Sequence, residues 1–301
     1  MINIEHLIIN GSGPFALTNY GVAKTLEQNN FYDINNIKTI YGTSSGAMLG
    51  CILCLKYTWE ELDEFLINRP WDKIYNVKFE NIYDLLNTKG LMGEDLFEKM
   101  FKPLLFGKDL DLDITLKKFY EYSNIELHVF AVNINTTQLE NISYKNYPDL
   151  KLTTALHMTS CLPGFITPVC IDNKCFIDGG LFCNYPLNYC IEDQNCNNDS
   201  ILGIQNIWSQ DNDSKTYINN DSNIFDYVTK IVKCVVKKCD SSLHQTSIKN
   251  NIKIETPYTN YSNSKDALIN ANTRILYIKN GVNCALKFLE ENKKFNDDKD
   301  N

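Results

Sequence analysis

The stretch from Ile37 to Gly50 constrains the fold of this chain more than any other. Ile37-Lys38-Thr39-Ile40-Tyr41 is a short β-branched run and reads as a buried strand that stops at Gly42. A run of small and apolar residues from Ala47 reads as a helix. Between them lies Gly42-Thr43-Ser44-Ser45-Gly46, a G-x-S-x-G with Ser44 at its centre. A strand-to-helix turn this tight needs small neighbours around the serine, lifts its hydroxyl into a cleft, and aims the helix N-terminus at any negative charge that develops there. The same pentapeptide elsewhere can be a plain Gly/Ser loop, so the flanking chain has to decide.

Upstream, Ile4 to Ile9 reads as a first strand. It leads into Asn10-Gly11-Ser12-Gly13-Pro14 and then a helix from Phe15 to about Gln28, with Leu17, Tyr20, Val22, Ala23 and Leu26 among its apolar positions. This βαβα opening argues for a parallel sheet wrapped by helices. A dinucleotide fingerprint in the Gly-rich turn would need glycine where Ala16 stands, and an acidic residue at the end of the second strand. A phosphate-binding P-loop would need Gly-Lys-Ser/Thr. Two readings stay open: an oxyanion loop whose Gly11 and Gly13 turn N–H groups inward, and glycines that merely serve the strand–helix junction.

From Trp59 to Phe106 the period is mostly helical, with Glu60, Glu61, Asp63 and Glu64 on an expected solvated face. The apolar run from Gly90 to Phe106 reads as ordinary core in preference to an acyl-chain channel. A helix over Thr115 to Tyr122, strands over Ile125 to Ile134 and Gln138 to Tyr144, and a helix over Leu150 to Ser160 follow. Cys161-Leu162-Pro163-Gly164 breaks that helix. Two β-rich runs, Phe165 to Ile171 and Cys175 to Leu181, flank a turn at Asp172-Asn173-Lys174. Ser200 to Trp208 reads as a late strand and Gln210 to Asn223 as a polar loop. The helix from Ile224 to Cys239 carries Lys230, Lys233, Lys237 and Lys238 and reads as a solvated helix in preference to one resting on a membrane. We expect one domain over residues 1–290 and a disordered polar tail over 291–301.

A net charge of −8 disfavours nucleic acid as the partner. No apolar run reaches the roughly 18 residues of a membrane span, and no charged segment precedes a long apolar core at the N-terminus, so the expected location is cytoplasmic. The eleven cysteines then read as reduced, with Cys51 and Cys54 packed in a core. Cys161, Cys170, Cys175 and Cys183 are irregularly spaced with no histidine among them, which gives no metal site.

A serine hydroxyl needs a base. His6, His128 and His157 fall within regular elements, whereas His244 lies late in the chain, where a Ser–His–Asp esterase would place its histidine. Asp178 is the other candidate. It ends a β-rich run before Gly179-Gly180, and a half-buried carboxylate can take the proton directly. An Asp-Gly turn can also be only a turn.

Ile8-Ile9-Asn10-Gly11-Ser12-Gly13, Gly42-Thr43-Ser44-Ser45-Gly46 and Asp178-Gly179-Gly180 stand in the order and setting that resemble patatin-like phospholipases. Thr159 to Phe165 with Pro168-Val169 resembles the segment before that family's aspartate, Leu181 to Pro186 the one after it, and Tyr20-Gly21-Val22 through Glu27 the helix after the oxyanion loop. The resemblance covers about Ile4 to Leu187. It implies a three-layer α/β/α sandwich with a mostly parallel sheet, hydrolysing acyl esters of phospholipids or other lipids through a Ser–Asp dyad without metal or cofactor. Ser44 would be the nucleophile and Asp178 the base. Gly11, Ser12, Gly13 and the Ser45 N–H would form the oxyanion hole, with Gly42, Gly46, Gly179 and Gly180 supporting the motifs. It further implies transient contact with a membrane surface, and no particular oligomeric state. The chain departs from the family at Phe15 and Ala16, where a basic residue and a glycine are common, so no loop cation is available to anchor a phosphate. Two alternatives stand beside this reading: an esterase using His244, and a protein of the same fold that binds lipid or a partner without turnover.

Overall fold

The computed structural model describes residues 3–75, 87–208, 217–242, 246–256 and 266–297. In chain order the elements are β1 (His6–Ile9), α1 (Ala16–Gln28), β2 (Thr39–Thr43), α2 (Ser45–Cys54), α3 (Trp59–Asn68), α4 (Trp71–Ile74), α5 (Glu94–Phe106), α6 (Leu116–Ser123), β3 (Glu126–Asn133), β4 (Gln138–Ile142), α7 (Leu152–Thr159), β5 (Val169–Ile171), β6 (Lys174–Asp178), α8 (Leu187–Gln194), β7 (Ile201–Trp208), α9 (Ile224–Ser242), β8 (Asn251–Thr256) and α10 (Ala271–Asp297).

β1, β2 and β3 are buried at every position, without the alternation of a half-wet sheet. Such strands need helices on both faces. With β7 and β8 they form the parallel ladder β8-β7-β1-β2-β3, the larger part of an eight-stranded mixed sheet. The register along β3 places the functional residues. Phe130 faces Thr43 of β2 across one edge and Asn141 of β4 across the other. One residue on, Ala131 faces Glu140 of β4 and Asp178 of β6. β6 therefore takes up the edge of β3 where β2 stops, running the opposite way, and β5 pairs outside it. The ends of β2 and β6 meet head-on over adjacent residues of one strand.

Several boundaries differ from the sequence reading for identifiable reasons. β2 runs on through Gly42 to Thr43 and α2 begins at Ser45, so the turn is Ser44 alone. α3 opens on a capping box between Thr58 and Glu61. Asp63 is not a free solvated carboxylate: it accepts the Tyr20 hydroxyl at 2.7 Å and pairs with Lys24. The apolar run of α5 serves two purposes. Leu96, Phe97 and Leu105 are core, whereas Met100, Phe101 and Leu104 line a cavity.

β8 and α10 were not assigned from sequence. β8 is an edge strand with every second residue buried. α10 runs to Asp297, well past residue 291 where the sequence suggested a disordered tail; residues 298–301 lie outside the described residues. The helix is anchored by Ile278, Ala285 and by Phe288 against Phe31, and adding turns to an established helix costs little. Phe15, standing where the family commonly has a basic residue, is buried between Tyr277 of α10 (ring centroids 4.8 Å apart) and Trp208 (6.0 Å). That position here docks the last helix.

Candidate active site

Ser44 is the hinge between β2 and α2, at φ 53° and ψ −126°. A non-glycine residue held there costs on the order of 1–3 kcal/mol. The surroundings leave it no alternative. A Cβ at Gly42 would lie 2.6 Å from the Ala47 nitrogen, and one at Gly46 2.3 Å from the Ile9 carbonyl oxygen. Only glycine lets α2 fold back this closely on β1 and β2. The Ser44 N–H donates to Thr159 Oγ1 at 2.8 Å, and the Thr159 hydroxyl donates to the Phe130 carbonyl. Thr159 thus ties the turn to β3.

Asp178 ends β6 beside Ala131, one register step from Thr43. Although 134 positions away in sequence, Ser44 donates its hydroxyl to Asp178 Oδ2 at 2.7 Å. The Gly180 N–H donates to Oδ1, also at 2.7 Å, which fixes the carboxylate with Oδ2 toward the serine. Gly179 sits where a Cβ would meet the Phe130 carbonyl at 2.2 Å. Asp178 is buried, and desolvation pushes its pKa up from 3.8 to about 6 against the lowering effect of its two hydrogen bonds. It is a stronger base than an exposed aspartate, yet remains ionised at neutral pH.

The three described histidines are engaged elsewhere. His6 bonds Thr39, His128 bonds Asn141, and His157 bonds the Thr167 carbonyl while stacking on Phe97. His244 lies outside the described residues.

The four sequence-derived donors, three in the Gly-rich loop and Ser45 at the start of α2, separate into two kinds. The Gly11 N–H donates to the Asn184 carbonyl at 3.2 Å, and the Ser12 N–H to Ser45 Oγ at 2.9 Å. Both are turned into the protein. Gly13, at φ +56°, and Ser45 line the cavity together with Ser44 and Asp178. Behind the loop, Asn184 Nδ2 donates to the Gly11 carbonyl and Asn19 Nδ2 to Ser12 Oγ, while Asn10 exchanges hydrogen bonds with the Asn206 backbone. These hydrogen bonds hold the loop in one shape, with Asn19 Oδ1 left unpartnered among the described residues.

These groups open onto a cavity of about 570 Å³. Its wall follows one face of α2 through Met48, Leu49 and Ile52, and is completed by Leu17, Phe65, Trp71 and Phe101. Arg274 lies in the wall but donates to the carbonyls of Ile67, Ala267 and Leu268, so it joins α3 to the chain before α10. Sequence reasoning missed Thr159 and Asn184 as supports of the site. A lone Thr near a helix end and a lone Asn in a loop carry no spacing signal, and only the fold brings them to Ser44 and Gly11.

A mostly parallel sheet with its serine turn, aspartate and Gly-rich loop at one end defines an α/β/α fold of the patatin type, and the family described as patatin-like phospholipase matches residues 7–191. The chain belongs to that family. Among curated proteins it is 27% identical over 182 residues to "Probable lipid hydrolase 463L" of Invertebrate iridescent virus 6, a match covering 58% of this chain and 62% of that protein. It is 25% identical over 232 residues to "Uncharacterized protein R571" of Acanthamoeba polyphaga mimivirus, covering 76% and 74%. Among solved structures VipD from Legionella pneumophila shares the fold at a TM-score of 0.52 and 16% identity, over 96% of this chain and 67% of that one.

Proposed function

We propose that the protein is a lipid acyl hydrolase of phospholipase A type, working through a Ser44–Asp178 dyad and an acyl-enzyme intermediate. The observation that carries this reading is the 2.7 Å hydrogen bond from Ser44 Oγ to Asp178 Oδ2, formed in the wall of a largely apolar cavity. Membership of the patatin-like family and the name of the viral relative point the same way.

Asp178 takes the Ser44 proton as Oγ attacks the ester carbonyl carbon. The tetrahedral oxyanion is held by the N–H groups of Gly13 and Ser45, since those of Gly11 and Ser12 are bonded elsewhere. The N-terminus of α2 adds its dipole. Collapse breaks the bond to the lipid alcohol, which leaves with the proton from Asp178. Water then repeats the sequence on the acyl-serine, again giving its proton to Asp178, and the fatty acid leaves with Ser44 restored. The acyl chain occupies the cavity along α2.

Ser44→Ala and Asp178→Asn are each expected to lower turnover of a lipid ester by several orders of magnitude, with the fold retained by circular dichroism. His244→Ala is expected to leave it near the parental value. Parental activity in either of the first two variants, or its loss in the third, would overturn the dyad.

A further inference from the structure

Helix α9 turns apolar side chains toward solvent. Ile224 is 59% exposed, Tyr227 50%, Ile231 46% and Val235 36%, and their spacing puts them on one stripe. Tyr217 and Ile218, just before the helix, are 60% and 39% exposed. A surface helix that served only the core would face such a stripe inward. Its inward contacts are instead made by other residues: Val228 lies over Gly164, and α9 packs on the turn Gly179–Leu181 that follows Asp178. The helix that carries the stripe is thus seated on the turn that follows Asp178, a residue of the cavity wall. Lys230 and Lys237 flank the stripe on one side, and Lys238 lies at its C-terminal end. Four lysines against two aspartates make this helix cationic in a chain of net charge −8.

We propose that α9 docks the protein on an anionic phospholipid surface, inserting Ile224, Tyr227, Ile231 and Val235 among the headgroups while the flanking lysines meet lipid phosphates and carboxylates. This deepens the reading of the cavity as a lipid site, and it names the surface from which substrate enters. Amphipathic helices lying in the interfacial plane bind in this way, by buried apolar area plus attraction of cations to anionic lipid. The charge pattern selects this occupant over a second copy of the chain. Pairing two stripes face to face would bring lysine against lysine.

The test uses the full chain with Ser44→Ala, so that lipid is not consumed, and measures cosedimentation with vesicles. Two compositions are compared: phosphatidylcholine alone, and phosphatidylcholine with roughly a quarter phosphatidylserine, each at low and high salt. Expected is binding to the anionic vesicles that weakens with salt and falls at least about tenfold in Ile231→Asp, and likewise in the double variant Lys230→Glu/Lys237→Glu, since each lysine near the surface adds to the attraction. In the Ser44 background both sets should leave hydrolysis of a soluble short-chain ester at the parental rate, which shows that they fold. Equal pelleting by variants and parent, equal pelleting on both lipid compositions, or no pelleting by the parent overturns the proposal. So does a parental dimer in sedimentation velocity that Ile231→Asp dissociates, since the stripe would then be covered by a second copy. Pelleting is read without turnover, so a failure of the Ser44–Asp178 assignment leaves it unaffected.

Discussion

Replacing Asp178 with Asn removes a buried negative charge while keeping the side chain's shape and both hydrogen-bonding positions. The carboxylate pKa stands at about 6 in the folded protein against 3.8 for the free side chain. The native state thus holds the proton more tightly than the unfolded chain. That contribution to stability is fully present below about pH 4 and is lost as the pH rises through about 6. Roughly two pKa units at about 1.4 kcal/mol each make the ionised carboxylate cost about 3 kcal/mol above that range. Asparagine carries no such cost, and it can still accept from Gly180 and face Ser44. At about 2 °C per kcal/mol for a chain of this size, Asp178→Asn should melt about 6 °C above the parent at pH 8, with the gap closing toward pH 4. Thermal unfolding followed by circular dichroism across that range reads both the offset and its slope. The variant should therefore be more stable and nearly inactive, a pairing expected where a site holds a strained charge for its chemistry. A variant that melts at or below the parent at pH 8, or an offset that ignores pH, would refute the reasoning.

Three further outcomes follow from the same geometry. Turnover of a soluble ester should fall as the pH drops through about 6, because a protonated Asp178 cannot accept the serine proton; a pH–rate profile shows it. Thr159→Val leaves the Ser44 N–H and the Phe130 carbonyl without their shared partner, so single-turnover acylation should slow by roughly 10- to 100-fold, with Thr159→Ser restoring most of it. Ile52 lines the cavity eight residues beyond Ser44, about 12 Å along α2. Ile52→Trp should therefore reduce turnover of long-chain p-nitrophenyl esters by about tenfold relative to butyrate, the discrimination of a partly filled apolar pocket.

The parts of this molecule legible in sequence are those where one local constraint dictates residue type. A serine held at φ 53° between glycines that cannot carry a Cβ writes itself as G-x-S-x-G, and buried parallel strands write themselves as β-branched runs. The distance between Ser44 and Asp178 is different in kind. It depends on β2 and β6 sharing one edge of β3, a register that no local pattern encodes, and the order of the family's motifs was the only hint of it. Helix α10 was illegible because its apolar residues are spread around it, Ile278 and Ala285 buried but Ile275, Leu276 and Leu286 exposed, and its stability comes from packing on α1. For α9, periodicity shows that the helix has an apolar side but not which way that side faces, and only the structure shows its stripe turned outward.

In the proposed mechanism Ser44 is the nucleophile and its base is Asp178, not an imidazole. Labelling with a fluorophosphonate, followed by mass spectrometry of the modified peptide, tests it most directly. A single adduct on Ser44 is expected, formed at a rate that drops by orders of magnitude in Asp178→Asn and is unchanged in His244→Ala. An adduct on another serine, or equal labelling rates in parent and Asp178→Asn, would contradict it.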